Sequence, residues 1–412
     1  MSGRRKKEIQ TGIGSLTLVE HALCPLDSRR SSCGNLVHNT SFPYSDSEGN
    51  RRKGRVQVFC PLGLTPKDEF VLWGLLAITV ANPQAQGELL ATRHFCLRKL
   101  GLVNAKSRRG GRQYRDFAES IERISTVRYL NDSFYDPIRA EHRKVGFGFF
   151  SYSAPLDDES SRAWRITWDP IFFEMINAAG GRLHFDLNVY RELDAASRRI
   201  YLFLAKLFHR RPTSPRLDLN AFADDVVGIA KSVKLRDKKA KLKRCFRKLK
   251  EVGVIHRGRM WRTSTGRVMV TLSRGAVFDR PTPLLEIESP QFEQLIKLGF
   301  DNRAANRLLN RYPSRLVSEW IDITMAALER SGANWFSNCP AAYLTDNLKS
   351  AVDGKRTAPD WWLDIRKSEQ LAAAERDRKR RGANTENSLP TRAADLVSDI
   401  QLQLTKHSNP SA

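Results

Sequence analysis

A chain of 412 residues with 41% hydrophobic side chains and eight tryptophans has material for two or three packed cores, which excludes a wholly disordered polymer. Its net charge of +24 attracts polyanions, nucleic acid first, although charge alone does not separate DNA from RNA. No apolar run approaches the roughly 20 residues that span a bilayer, and no signal core follows the basic start. The six cysteines are too scattered for a disulfide framework, so a cytoplasmic protein is expected.

Residues 1–55 read as a flexible basic N-terminal segment, because SDSEGNRRKGR (45–55) has the composition of a linker. His21, Cys24, Cys33 and His38 lie inside it and raise the question of zinc. Their spacing matches no common finger, and the first pair sits in an apolar stretch. No metal is therefore expected.

Residues 56–190 read as a first winged-helix-like domain. VQVFCPLGL (56–64) is a strand. Thr65 and Pro66 suit the N-cap and first position of an apolar helix reaching Ala81. A short helix ends at Gly101, and Gly110-Gly111 forms a turn. Arg112–Arg123 is helical, with Tyr114, Phe117, Ala118 and Ile121 on one face. Strands are expected over 125–130, 144–154 and 162–170. Helix, helix, basic helix, hairpin is the winged-helix order, with a generic α+β domain as the competing reading.

Residues 191–275 repeat that order as a second winged-helix domain. Asp194 caps a helix with Ile200, Phe203, Leu204 and Leu207 on one face, and Asn220–Val227 is a short second helix. Lys234–Glu251, KLRDKKAKLKRCFRKLKE, is the third. It carries ten Lys or Arg and one Asp between Lys234 and Lys250. Leu235, Leu242, Cys245, Phe246 and Leu249 make one apolar stripe. Gly253 ends the helix, and a hairpin follows with its turn at Ser264-Thr265-Gly266. Arg257, Arg259, Arg262, Arg267 and Arg274 line its arms. A solvated amphipathic helix or a coiled coil is the plainer reading. A basic third helix beside a basic hairpin, however, is what phosphate positioning next to base readout uses. Residues 289–350 read as a small helical region and 353–412 as a mostly disordered tail. The expected class is thus α+β, with two tandem winged-helix domains and flexible ends.

Catalytic constellations are missing from the sequence. Gly354-Lys355-Arg356-Thr357 lacks the upstream glycine and the adjoining Ser/Thr of a phosphate-binding loop. No His-apolar-His accompanies a tyrosine. Asp157-Asp158-Glu159 reads as a solvated turn and Asp224-Asp225 as a surface or helix-end feature. No enzyme, cofactor or catalytic residue is expected.

Five stretches carry a resemblance: GLTPKDEFVLWGLLA (63–77), RQYRDFAESIERISTVRY (112–129), RAWRITWDP (162–170), ELDAASRRIYLFLAKLF (192–208) and KRCFRKLKEVGVI (243–255). Together they resemble the plasmid replication initiators of the replication initiator protein A type. That resemblance implies a bacterial, plasmid-type protein that binds repeated duplex DNA sites at an origin. It also implies recruitment of a host helicase or helicase loader, and it admits self-association. On the residues alone, DNA contacts are expected from Lys238, Lys241, Arg244, Arg247 and Lys248 on the third helix, with Arg257, Arg259 and Arg262 on its hairpin. In the first domain they are expected from Arg108, Arg112, Gln113 and Arg115. Arg and Gln read base edges bidentately, while Lys mainly meets phosphate. A winged-helix transcriptional regulator and an RNA- or ribosome-associated basic protein remain alternative readings.

Overall fold

The computed structural model describes residues 8–46, 48–82, 86–103, 111–157, 160–178, 180–280 and 290–386. The protein is α+β. First come β1 (Thr11–Ser15), α1 (Ser28–Ser31), β2 (Leu36–Ser45) and β3 (Arg51–Cys60). Next are α2 (Pro66–Val80), β4 (Glu88–Ala91), α3 (Arg93–Lys99) and α4 (Gly111–Ser125). Then follow β5 (Arg128–Asp136), β6 (Glu141–Phe147), β7 (Phe150–Ser153), β8 (Trp164–Trp168), α5 (Pro170–Asn177), β9 (Arg182–Asp186) and α6 (Leu187–Glu192). α7 (Ala195–Phe208), β10 (Leu217–Asp218) and α8 (Leu219–Ala221) lead through a π-helical turn, Phe222–Val226, to α9 (Leu235–Glu251), β11 (Ile255–Arg262) and β12 (Val268–Arg274). Five helices close the described chain: α10 (Pro290–Lys297), α11 (Asn302–Arg311), α12 (Ser314–Ser331), α13 (Pro340–Val352) and α14 (Asp360–Glu386).

Two three-stranded antiparallel sheets share one plan. Their orders are β4-β8-β7 and β10-β12-β11. In each, the strand after the first helix pairs with the last strand of a hairpin that follows the third helix. In the first unit, β5 and β6 interrupt this plan by joining a separate sheet of order β2-β3-β5-β6. A two-stranded ribbon, β1-β9, completes the sheets.

The expected flexible N-terminal segment is instead structural from residue 8 onward. β1 pairs with β9, and Ile9, Ile13, Leu18 and Leu23 are buried. β2 and β3 pair over their full length, from Leu36↔Cys60 to Ser45↔Arg51. The stretch read as a linker supplies the hairpin turn: Asp46 Oδ1 accepts from the amides of Glu48 at 3.1 Å and Asn50 at 2.8 Å, and Gly49 takes φ +81°. A polar hairpin turn and a linker have the same composition, so composition did not separate them. The tail reading is corrected likewise. Trp362 and Glu369 of α14 are buried against the helices before it. Residues 387–412 lie outside the described residues.

α2 is apolar all round, as a helix surrounded by protein must be. Its start holds two carboxylates. Asp68 accepts from the Thr65 amide at 2.7 Å and from Arg123 of α4 through Nε and Nη2, both at 2.9 Å. This pair fixes α4 against α2. Glu69, one residue on, receives Arg199 of α7: Nη2 donates to Oε1 at 2.6 Å and Nε to Oε2 at 3.1 Å. Arg199 Nη1 donates to the Val227 carbonyl at 2.7 Å, and Nη2 also reaches Cys24 Sγ at 3.0 Å. Burial opposes the charge on Arg199, but Glu69 and Cys24 outweigh it and hold its pKa above the ordinary guanidinium value. One continuous core, from Ile9 to Val277, surrounds this pair. A second core, from Phe292 to Trp362, belongs to the C-terminal helices.

Removing one member of a buried pair leaves an uncompensated charge, at a cost of about 3–5 kcal/mol. Arg199→Met is expected to lose about that much in urea unfolding. The double change Arg199→Met/Glu69→Leu should recover most of it. A double variant no more stable than the single one would show that the pair is not what holds the units together.

Candidate nucleic-acid interface

α9 rests on the core through Leu242, Cys245, Phe246 and Leu249. Gly253 takes φ +78° after its last turn, and the Val254 amide donates back to Leu249 at 2.8 Å. The chain therefore reverses at once into β11. The register of that strand brings Gly258 against the helix, where an added Cβ would lie 3.1 Å from both Phe246 and Leu272. The hairpin can close on α9 because residue 258 has no side chain. Its turn is exposed, with Gly266 at φ +79° and the Thr263 amide donating to the Arg267 carbonyl at 2.8 Å.

Lys238 is a correction to the expected contacts. It is only 3% exposed, and its Nζ lies 2.6 Å from Asp224 in the π-helical turn. It pins the start of α9 to the preceding element and is not available to a ligand. Asp224, expected at a surface or helix end, is its partner. Lys238 falls at i, i+4, i+7 and i+11 with Leu242, Cys245 and Leu249, so the helical period already placed it on the buried stripe.

The opposite stripe, Arg236, Ala240, Lys243, Arg247 and Lys250, is exposed throughout. Only Arg247 of these was expected. The same period would have found Arg236, Lys243 and Lys250. Arg244 is exposed, while Lys241 and Lys248 lie half-buried on the flank. Among the described residues, no carboxylate lies within ion-pair distance of Lys243, Arg244 or Arg247, whereas Lys248 approaches Glu251 at 3.9 Å. Arg257, Arg259 and Arg262 are exposed on β11, the edge strand of its sheet. Charges there also discourage edge-to-edge pairing, which is their plainer role. Arg274 is committed elsewhere: it donates to the carbonyls of Phe208 at 3.4 Å and Phe278 at 2.5 Å.

The first unit differs in charge and access. α9 has nine Lys or Arg against two acids, whereas α4 has three arginines against Asp116, Glu119 and Glu122. Arg115 is exposed. Arg112 and Gln113 line a cleft of about 910 Å³ together with Asp116 and Glu119, and Arg112 approaches Asp116 at 3.8 Å. Arg108 lies outside the described residues. The hairpin β7–β8, the counterpart of β11–β12, is held by the C-terminal helices. Arg162, just before β8, is 6% exposed and donates Nε and Nη2 to Asp322 of α12, both at 3.0 Å. Its Nη1 donates to Glu369 of α14 at 2.8 Å. Glu329 accepts from the Ser160 hydroxyl at 2.7 Å and the Ser161 amide at 2.8 Å. Trp362 Nε1 donates to Asp322 at 2.9 Å. Glu293 of α10 adds an ion pair to Arg98 of α3.

His21, Cys24 and Cys33, three of the four residues considered for zinc, have other partners. His21 Nε2 lies 2.9 Å from the Tyr129 hydroxyl, and burial lowers its pKa to about 4. Burial pushes the Cys24 thiol well up, so it is protonated beside Glu69 and Arg199. Burial also lowers His38 to about 3. Cys33 is exposed and donates to the Arg29 carbonyl at 3.1 Å. Among the described residues, no three His, Cys, Asp or Glu side chains are grouped to hold a metal.

No protein-family model matches the chain, and no curated protein matches it. Among solved structures, domains 2 and 3 of RctB align with 63% of this chain and 98% of that one, at 16% identity and a TM-score of 0.40.

Two predictions separate the roles of these residues. Lys243→Ala/Arg247→Ala should flatten the log–log salt dependence of duplex binding by about two units, with thermal stability unchanged. Lys238→Ala should instead lower stability and leave the slope as it is. The reverse pattern would exchange their assignments. Arg162→Ala should speed hydrogen exchange in α12–α14 by roughly 100-fold, the effect of about 3 kcal/mol, without changing α9. Unchanged exchange there would mean that Arg162 does not hold the hairpin.

Proposed function

We propose that the protein is a sequence-specific binder of duplex DNA that initiates plasmid-type replication at repeated origin sites. α9 would enter the major groove and β11–β12 would lie along the adjoining backbone as the wing. The observation that carries this reading is the fully exposed basic stripe of α9, in which Lys243 and Arg247 have no acidic partner among the described residues, beside an arginine-bearing hairpin. Helix, strand, helix, helix and hairpin, with sheet order β10-β12-β11, is the arrangement a winged helix uses to present its third helix. The plan recurs in β4-β8-β7, which supports two tandem winged helices.

The units have unequal parts in this reading. The second reads DNA. The first has a charge-balanced third helix and a hairpin engaged by the C-terminal helices, so it supports the second and is not an equal reader. The replication role rests on the resemblance of the five sequence stretches. With it come a cytoplasmic location, no catalytic step of the protein's own, and a host helicase or loader as partner. No helix among the described residues is long and apolar enough to cross a membrane.

Selection of random duplexes by the purified full chain tests the reading. A recovered motif, bound about 10³-fold more tightly than bulk DNA, is the expected result. Loss of that preference in Lys243→Ala/Arg247→Ala would place it on α9. No enrichment over bulk DNA, or stronger binding to structured RNA, would overturn the proposal. A plasmid whose short direct repeats match the recovered motif should fail to replicate when the repeats are scrambled. Normal replication would leave a regulator, not an initiator.

A further inference from the structure

A second electropositive concavity, lined by no residue of α9, reaches the wing only at Arg274, the end of β12. It is a groove of about 1000 Å³ bounded by five parts of the fold, one of them the segment after β1 with Leu16, Thr17 and Glu20. The end of β2 and the β5–β6 hairpin form one wall, with Tyr44, Tyr135 and His142. β9 contributes Arg182 and His184. The end of α7 and the residues after it contribute Lys206, His209, Arg210 and Arg211, and the segment after β12 contributes Phe278 and Arg280.

Two features of this groove belong together. The first is charge. Arg210, Arg211 and Arg280 are exposed, with no carboxylate in ion-pair distance among the described residues. The groove's two acids are both engaged: Glu20 pairs with Lys206 at 2.7 Å, and Asp186 accepts from the amides of Asn188 at 2.8 Å and Val189 at 3.3 Å. Cations beyond a helix C-terminus complement its dipole, which accounts for Arg210. It does not account for Arg211 or for Arg280, which lies on a different segment. The second feature is a set of rings. His142 lies between two tyrosines, 4.5 Å from the Tyr44 centroid and 5.4 Å from that of Tyr135. Its Nδ1 lies 2.9 Å from the Ser133 carbonyl, which steadies the imidazole. Tyr135 is 41% exposed, so part of its ring is open to the groove.

We propose that this groove binds an unpaired nucleic-acid strand. Tyr135 and Tyr44 stack on bases, and Arg210, Arg211 and Arg280 neutralise phosphates. A cationic groove lined by accessible rings is how single strands are held without sequence readout. In a duplex the base faces are covered by their neighbours, so the rings would have nothing to stack on. A volume at the upper end of ligand-pocket sizes also takes a few nucleotides and not a double helix. The inference goes beyond duplex binding by α9: no α9 residue lines the groove, and Arg274, which ends β12 and does line it, is engaged by the Phe208 and Phe278 carbonyls.

The test is fluorescence anisotropy of the full chain with a labelled oligothymidylate of about 12 nucleotides, which has no duplex content. Tyr135→Ala is expected to weaken binding by roughly 5- to 100-fold, the range for losing one stacked base, and Tyr135→Trp to retain it. Arg210→Ala/Arg211→Ala should flatten the salt slope by about 1.4 units, the single-strand value for two phosphates. Lys243→Ala/Arg247→Ala should leave oligothymidylate binding intact, which separates this site from the duplex site. Thermal unfolding checks that each variant is folded. Four results would overturn the proposal: no binding by the unaltered chain, undiminished binding by folded Tyr135→Ala, equal loss in the α9 variant, or equal competition by polyglutamate.

Discussion

The architecture depends on one buried charge pair, Arg199 with Glu69. A guanidinium inside a core is tolerable only if its charge is matched and its donors are used. Here the donors reach a carboxylate of α2, a sulfur of the N-terminal segment and a carbonyl of the turn that precedes α9. Each partner comes from a different part of the chain. The pair therefore ties the two repeated units into one core, and with them the N-terminal segment. A linker between independent domains would leave α9 free to swivel. Here the Val227 carbonyl, held by Arg199 at 2.7 Å, anchors the turn that leads into α9.

A second charge network gives the repeated units different roles. Arg162 is buried like Arg199 but pairs with two carboxylates, Asp322 and Glu369, both on the C-terminal helices. It commits the first hairpin to an internal contact. Among the described residues the second hairpin has no such ion-paired cover, and it ends in an exposed turn. The same sheet plan thus appears once as scaffold and once as open surface. Charge follows the same division: balanced on α4, strongly positive on α9. Positive charge at the start of α9 opposes its own helix dipole. The free protein offsets this through the apolar stripe beneath and the Lys238–Asp224 pair, and a bound phosphate would relieve it.

Much of α9 was legible because its signals are local. Its period, the glycine after it and the glycine in the following hairpin turn all act within a few residues of one another. Pro66 at the start of α2 was readable for the same reason. Lys238 was readable in principle and was misplaced: its spacing from Leu242, Cys245 and Leu249 assigns it to the buried face, but its charge argued for solvent. A buried lysine needs a partner, and Asp224 lies fourteen positions away across a turn. The β2–β3 hairpin was not legible, because its strands are justified by β5 and by the helices beneath, all distant in sequence.

The sequence by itself determined the helices α2, α7 and α9, the stripe on which α9 rests and the positive field it presents. These follow from helical period, backbone propensity and charge, which neighbouring residues set among themselves. Tertiary structure decided which of two similar hairpins is covered, which lysine is withdrawn and which basic residues face water. It also brought Tyr44, Tyr135, Arg211 and Arg280 to one groove. Those outcomes depend on pairing between residues far apart in the chain. The cost of an unmatched buried charge selects that pairing, and no local pattern encodes it.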